Sequence, residues 1–304
     1  MKRTALEALG DPLPIPRDDG AEARAAVSAR AAALLALTRE RFPSWAPPPF
    51  TPVTYAEALG IPVVESRQLA HWDALLVPAG DSLRIVCSAT GRSAGRRRFS
   101  VAHELAHTFF AEARDRAHMR ARRVEPDATP EERALERLCD FGAAELLMPQ
   151  PWFGEAAAQH GLRALSVPWL AAFFEVSLEA AALRLVETAP APCAIGFFHW
   201  AAEPTVERAR SAGEPPRKGN VAYRVRRLFR SRGFPFLLPE GKSVPDSSVV
   251  YRCSLRPGEL EGRERFGPRG AEREVAVTAS PVHRGPSIDA PPLVIAVMTL
   301  RAES

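Results

Sequence analysis

The sequence predicts an α+β chain of more than one domain. Three observations carry that expectation. At 304 residues the chain is about twice a usual domain length. Up to residue 190 it is dominated by Ala- and Leu-rich runs of helical character, whereas the last third alternates short β-branched runs with Gly and Pro turns. An HExxH pentapeptide, His103-Glu104-Leu105-Ala106-His107, lies inside one of the apolar helical runs.

Composition removes several classes. Hydrophobic residues are 46% and charged residues 25%, which excludes a wholly disordered or collagen-like chain. No run approaches the ~18 apolar residues a membrane span needs. Met1-Lys2-Arg3 is followed by Asp11, Asp18 and Asp19, not by an apolar core, so no secretory signal is expected and the reading is cytoplasmic. Cys87, Cys139, Cys193 and Cys253 are widely spaced and are read as reduced thiols. The charge is uneven. The net +4 hides eighteen Lys and Arg against twelve Asp and Glu in residues 191–304, a basic excess that hints at a polyanionic or acidic partner there.

Along the chain, residues 1–20 read as a loose lead-in. Ala21–Arg41 is a helix stopped by Pro43 and the run Pro47-Pro48-Pro49. TYAEALG is a short helix ending at Gly60. IPVVES and LRIVCSA are strands, GRSAGRRR a basic turn, and FSVAHELAHTFF the apolar helix. Residues 111–131 are a polar loop or mobile helix, and Pro130–Met148 is a strong helix ending at Pro149. LSVPWLAAFF and SLEAAALRLVET form two helices joined at Glu175-Val176-Ser177. Beyond Pro190 and Pro192, PCAIGFF, VVYRCSL, EVAVTAS and LVIAVMTL read as strands. The expected domains are 1–150, 151–190 and 191–304.

HExxH places two imidazoles one turn apart on one helical face, where both can reach one zinc ion. Glu104 beside them can take a proton from water acidified by the metal. A hydrolytic zinc site needs a third protein ligand. No histidine follows at the HExxHxxGxxH spacing, and His118 and His160 are poorly placed. Glu136, 29 residues past His107 in ERLCDFGAAELLMP, is the better candidate. Asp140 shares its face and could orient a histidine from behind. A His2Glu set takes zinc or manganese.

RRRFSVAHELAHTFF followed by ERLCDFGAAELLMP resembles the ImmA/IrrE family of zinc metallopeptidases. That resemblance implies a zincin-like domain in which His103, His107 and Glu136 bind Zn2+ and Glu104 is the general base. LSVPWLAAFFEVSLEAAALRLVET resembles the helix-turn-helix-like segment of IrrE-type members, which end in a GAF-like sensory domain. By position the C-terminal third corresponds to that domain, although no motif within it matches. The implied function is site-specific cleavage of an XRE-type helix-turn-helix repressor, relieving repression of a stress or anti-phage programme. Single-stranded DNA is the implied activator.

Other features admit two readings. Arg217, Lys218, Arg224, Arg226, Arg227, Arg230 and Arg232, interleaved with or near Tyr223, Phe229, Phe234 and Phe236, suit single-strand binding or a solvated basic helix with aromatics in the core. Arg96, Arg97 and Arg98 could bind an acidic partner or DNA, or form a soluble turn. Residues 163–188 hold only Arg163 and Arg184, too few for major-groove binding. Cys87 could occupy the open metal position and hold the enzyme off, or be a buried structural thiol. Cys139 is expected to pack. No Tyr lies between the two motifs, leaving His118 or an arginine of 114–123 as oxyanion stabiliser. The alternatives to a peptidase are a non-catalytic regulator that sequesters a repressor or DNA, and a zinc hydrolase of small substrates.

Overall fold

The computed structural model describes residues 9–69, 72–80, 82–90, 93–111, 128–203, 221–266, 272–283 and 291–300. The chain divides into two compact units: Met1–Phe153 with Ala172–Ser177, and Gly154–Ala171 with Leu178–Ser304.

In the first unit, helix α1 (Ala21–Arg41) buries Val27, Ala31, Leu34, Leu35 and Thr38, the stripe expected of an amphipathic helix. Helix α2 (Pro52–Leu59) opens on a proline and stops at Gly60, whose φ of 71° is the left-handed cap that glycine adopts freely. Three strands follow: β1 (Val63–Ser66), β2 (Ala74–Ala79) and β3 (Ser82–Ser88). Their order is β1-β3-β2, with β1 parallel and β2 antiparallel to β3. The sequence predicted β1 and β3; β2 is short, and Pro78 masks it. Pro78 is tolerated because β2 is an edge strand.

Helix α3 (Ala94–His107) carries HExxH. It starts earlier than expected. The Ser93 side chain accepts from Arg96 N–H at 3.3 Å, so Arg96, Arg97 and Arg98 form the first turns of the helix and not a preceding loop. Arg96 pairs with buried Asp73 at 2.9 Å. Arg98 donates to the Phe50 carbonyl and pairs with Glu175. Two of the three thus serve the unit itself. Helix α4 (Pro130–Leu147) begins with a complete capping box between Thr129 and Glu132 and a proline in its first turn. This fixes where the helix starts, and so which face Glu136 occupies. The lead-in is not loose over its described part: Leu13 exchanges backbone hydrogen bonds with Phe109 and Ala111, and Leu9 is buried.

Helices α5 (Gln150–His160), α6 (Ser166–Phe173) and α7 (Leu178–Thr188) follow. The division between units runs through α5 and α6. The second unit contains a five-stranded antiparallel sheet, ordered β5-β4-β8-β7-β6. Its strands are β4 (Cys193–Ala201), β5 (Ala222–Arg230), β6 (Leu260–Phe266), β7 (Arg273–Val282) and β8 (Leu293–Leu300). One face packs Phe198, Tyr223, Val225, Val277, Val294 and Met298 around helix α8 (Val249–Ser254). Ile195, Phe197, Ile295 and Val297, which alternate with them, are buried as well.

One expectation fails here, and one of two open readings is removed. VVYRCS is helix α8 and not a strand. Ser248 caps it by accepting from Tyr251 N–H at 3.1 Å, and Val249, Val250 and Cys253 bury their side chains on the sheet, so capping and burial override β-propensity. The basic run from Ala222 to Arg230 is the edge strand β5 and not a helix. The α+β class stands.

Candidate metal centre

The site is built where α3 crosses α4. His103 and His107 sit one turn apart on α3, and α4 brings Glu136 across to both. The His103 and His107 Nε2 atoms are 3.2 Å apart. Glu136 Oε2 lies 3.4 Å from the first, and Oε1 3.8 Å from the second. A tetrahedral zinc bonded at about 2.1 Å would hold its donors about 3.4 Å apart. The three separations bracket that value, and the donor set is one zinc takes. Among the described residues no other set of His, Cys, Asp or Glu is grouped this way.

The close crossing has an identifiable cause. A Cβ added to Gly142 would meet Ala106 Cβ at 2.8 Å and Val27 Cγ1 at 3.2 Å. Ala106 is inside HExxH, so glycine on α4 is what lets Glu136 approach the histidines.

The surroundings orient the donors. Asp140 Oδ1 is 2.9 Å from His103 Nδ1. Cys139 Sγ is 3.4 Å from His107 Nδ1, a contact that sequence reading missed although Cys139 shares a helical face with Glu136. Leu76 of β2 donates its backbone N–H to Glu104 Oε2 at 2.9 Å. A backbone donor leaves no trace in residue identity, so no sequence pattern could have announced it. Burial disfavours charge on His103, but Asp140, Glu136 and Glu104 outweigh it and raise its pKa to about 10.

Cys87 is not brought to this group. It lies on β3 with its thiol directed at the Val64 carbonyl, 3.5 Å away, and burial pushes its pKa up. It has the surroundings of a structural thiol. His118 and the arginines of 114–123 lie outside the described residues, as do Arg217 and Lys218. Of the remaining basic residues, Arg224 is buried and donates to the Ala201 and Gly241 carbonyls. Arg226 pairs with Glu179 at 3.6 Å. Arg227 lies over the Phe229 ring, and Arg230 donates to the Phe234 carbonyl. Tyr223 and Phe234 are buried, so they offer no stacking platform.

Residues 56–186 match the peptidase family model described as "IrrE N-terminal-like domain". That stretch is thus similar to the ImmA/IrrE family, in line with the two motifs of the sequence. The chain's similarity to the "Radiation response metalloprotease IrrE" of Deinococcus radiodurans is 30% identity over 155 residues, 49% of this chain and 45% of that protein. The chain thus spans less than half the length of that relative. It also resembles a solved structure titled "Mycobacterium tuberculosis transcriptional regulator", at 17% identity and a TM-score of 0.48, over 91% of this chain and 80% of that one. The matched stretch resembles a metallopeptidase domain, and the His-His-Glu group within it is where a metal could bind. No helix among the described residues is long and apolar enough to cross a membrane.

Proposed function

We propose that this chain is a zinc-dependent, site-specific endopeptidase that cleaves an XRE-type helix-turn-helix repressor, derepressing a stress or defence operon. The observation that carries the peptidase reading is the convergence of His103, His107 and Glu136 at zinc-compatible separations, with Glu104 held beside them by Leu76. His103, His107 and Glu136 hold the ion, and Asp140 orients His103. The ion supplies Lewis acidity, acidifying water and polarising the scissile carbonyl. Glu104 takes the proton from the attacking water and delivers it to the leaving amine. Its carboxylate is turned by the Leu76 N–H, which fixes one oxygen at the strand.

An extended peptide suits the neighbouring strand. Leu76 N–H points away from β3, so Ala74, Leu76 and Pro78 direct their backbone groups to the edge of β2 that β3 does not pair, where the Leu76 N–H is held by Glu104. A substrate strand can add there, which favours a polypeptide over a small molecule. Incubating the zinc-loaded chain with the helix-turn-helix protein encoded beside it, and weighing the products, tests the proposal. One new cut, absent with Glu104→Gln, is expected. Tight binding without any cut would instead favour the sequestering regulator.

Metal loading is expected to depend on pH. His103, with its pKa at about 10, is cationic at pH 7 and must lose its proton to coordinate. The raised value stabilises the metal-free fold below the ordinary 6.5. That contribution is lost as pH rises through about 10. Zinc affinity therefore rises with pH over this window. Calorimetry in buffers of different ionisation enthalpy reads the expected release of one proton.

The second unit completes the proposal as a GAF-like sensory domain, with α6 and α7 as the helix-turn-helix-like segment and single-stranded DNA as activator. Arg226, Arg227, Arg230 and Arg232, exposed on or beside edge strand β5, support it, and Arg224 is removed from the set. Arg226→Glu with Arg227→Glu is expected to weaken DNA binding by tenfold or more at low salt while leaving zinc content unchanged. Unaltered DNA binding in a filter or polarisation assay would remove this surface from the account.

A further inference from the structure

The helix facing HExxH presents more than a ligand. Glu136, Cys139 and Asp140 lie on one face of α4, at i, i+3 and i+4. Glu136 meets both Nε2 atoms, Asp140 meets Nδ1 of His103, and Cys139 meets Nδ1 of His107 at 3.4 Å. Each histidine thus has its own partner behind the ring. With Nε2 turned to the ion, Nδ1 carries the ring proton and sulfur can accept it.

We propose that Cys139 is a positioning residue of the metal centre, its sulfur accepting from His107 Nδ1–H and holding Nε2 towards the ion. The inference rests on the metal reading above. Burial explains why the two partners differ in kind. The Asp140 side chain is 61% exposed, so its charge stays hydrated. His107 and Cys139 are 4% and 0% exposed. A carboxylate at 139 would bring an ion into that dry contact at a large desolvation cost, whereas a thiol is a small, neutral acceptor that packs like an apolar group. Removing the sulfur would take this acceptor from the Nδ1–H and loosen the hold on the ring.

The test compares wild type, Cys139→Ser and Cys139→Ala. Zinc affinity is measured by chelator competition, the His107 ring nitrogens by long-range 1H–15N spectra of the zinc-loaded chain, and the thermal midpoint on the metal-free chain. Cys139→Ala is expected to bind zinc about tenfold more weakly, with the His107 Nδ1 resonance shifted and the metal-free midpoint near wild type. Cys139→Ser, which keeps an acceptor, is expected to recover part of the affinity. Wild-type affinity and an unmoved resonance in Cys139→Ala would overturn the proposal. So would an affinity loss that tracks a lowered metal-free midpoint and is not recovered by Ser, since that pattern marks packing alone. A wild-type chain that binds no zinc would overturn the metal reading itself, an outcome distinct from zinc-binding wild type with an indifferent Cys139→Ala.

Discussion

Glu104→Gln is expected to lower peptide-bond hydrolysis by about 10²–10⁴-fold while zinc stays bound with near wild-type affinity. The amide keeps the size of the side chain but cannot take a proton from water. The proposed ligands are His103, His107 and Glu136, none of which the substitution touches, so metal content should not change. The bond from Leu76 N–H to Oε2 can be kept by the glutamine carbonyl, so the fold around β2 and α3 has no reason to move. Zinc content by atomic absorption and single-turnover cleavage of the repressor read the two effects separately. If Glu104→Gln cleaves at the wild-type rate, some other group is the base and the assignment of Glu104 is wrong.

The second large effect is expected from a residue that carries no functional group. Gly142→Ala places a methyl at 2.8 Å from Ala106 Cβ and 3.2 Å from Val27 Cγ1, both well inside van der Waals contact. Alanine gains up to about 1 kcal/mol of helix propensity over glycine. Overpacking of a tight crossing costs about 1–3 kcal/mol, so the net effect is destabilising. The larger consequence falls on the metal. Glu136 is on one helix and the histidines are on the other. Spreading the crossing by a few tenths of an ångström therefore lengthens two of the three donor separations. Zinc affinity is expected to fall at least tenfold. Adding Ala106→Gly removes the atom that clashes and should restore part of the affinity despite its own helix cost. Gly142→Ala with unchanged zinc affinity and unfolding midpoint would show that the crossing has slack the geometry does not suggest.

What the sequence made legible follows from how each feature is encoded. The helices announced themselves through apolar runs and their breakers: Pro130 and Pro149 bound the run that is α4, and Gly60 closes α2. HExxH fixed two donors by spacing alone, because i and i+4 on a helix share a face. Glu136 and Asp140 were found by their type and relative spacing, but their distance from the histidines depends on Gly142, whose role appears only when the two helices are placed together. β2 was hidden because six residues with a proline carry little periodic signal. The valines of VVYRCS pointed to a strand, and only the Ser248 cap and the sheet beneath made a helix of them. Cys87 drew attention as a soft ligand near the motif, yet its strand directs the thiol at Val64. The sulfur that does meet a histidine is Cys139, one residue from the aspartate that meets His103. In β5 the basic residues were visible, but not that Arg224 would spend its guanidinium on backbone carbonyls inside the unit.

X-ray absorption at the zinc edge of the loaded wild-type chain tests the central claim most directly. The account predicts one zinc per chain, a shell of nitrogen and oxygen at about 2.0–2.1 Å with the multiple scattering of two imidazoles, and no sulfur. In Glu136→Ala the imidazole signal should persist, with weaker retention of the metal. A sulfur shell at about 2.3 Å, or a spectrum with fewer than two imidazoles, would contradict the His103, His107 and Glu136 centre.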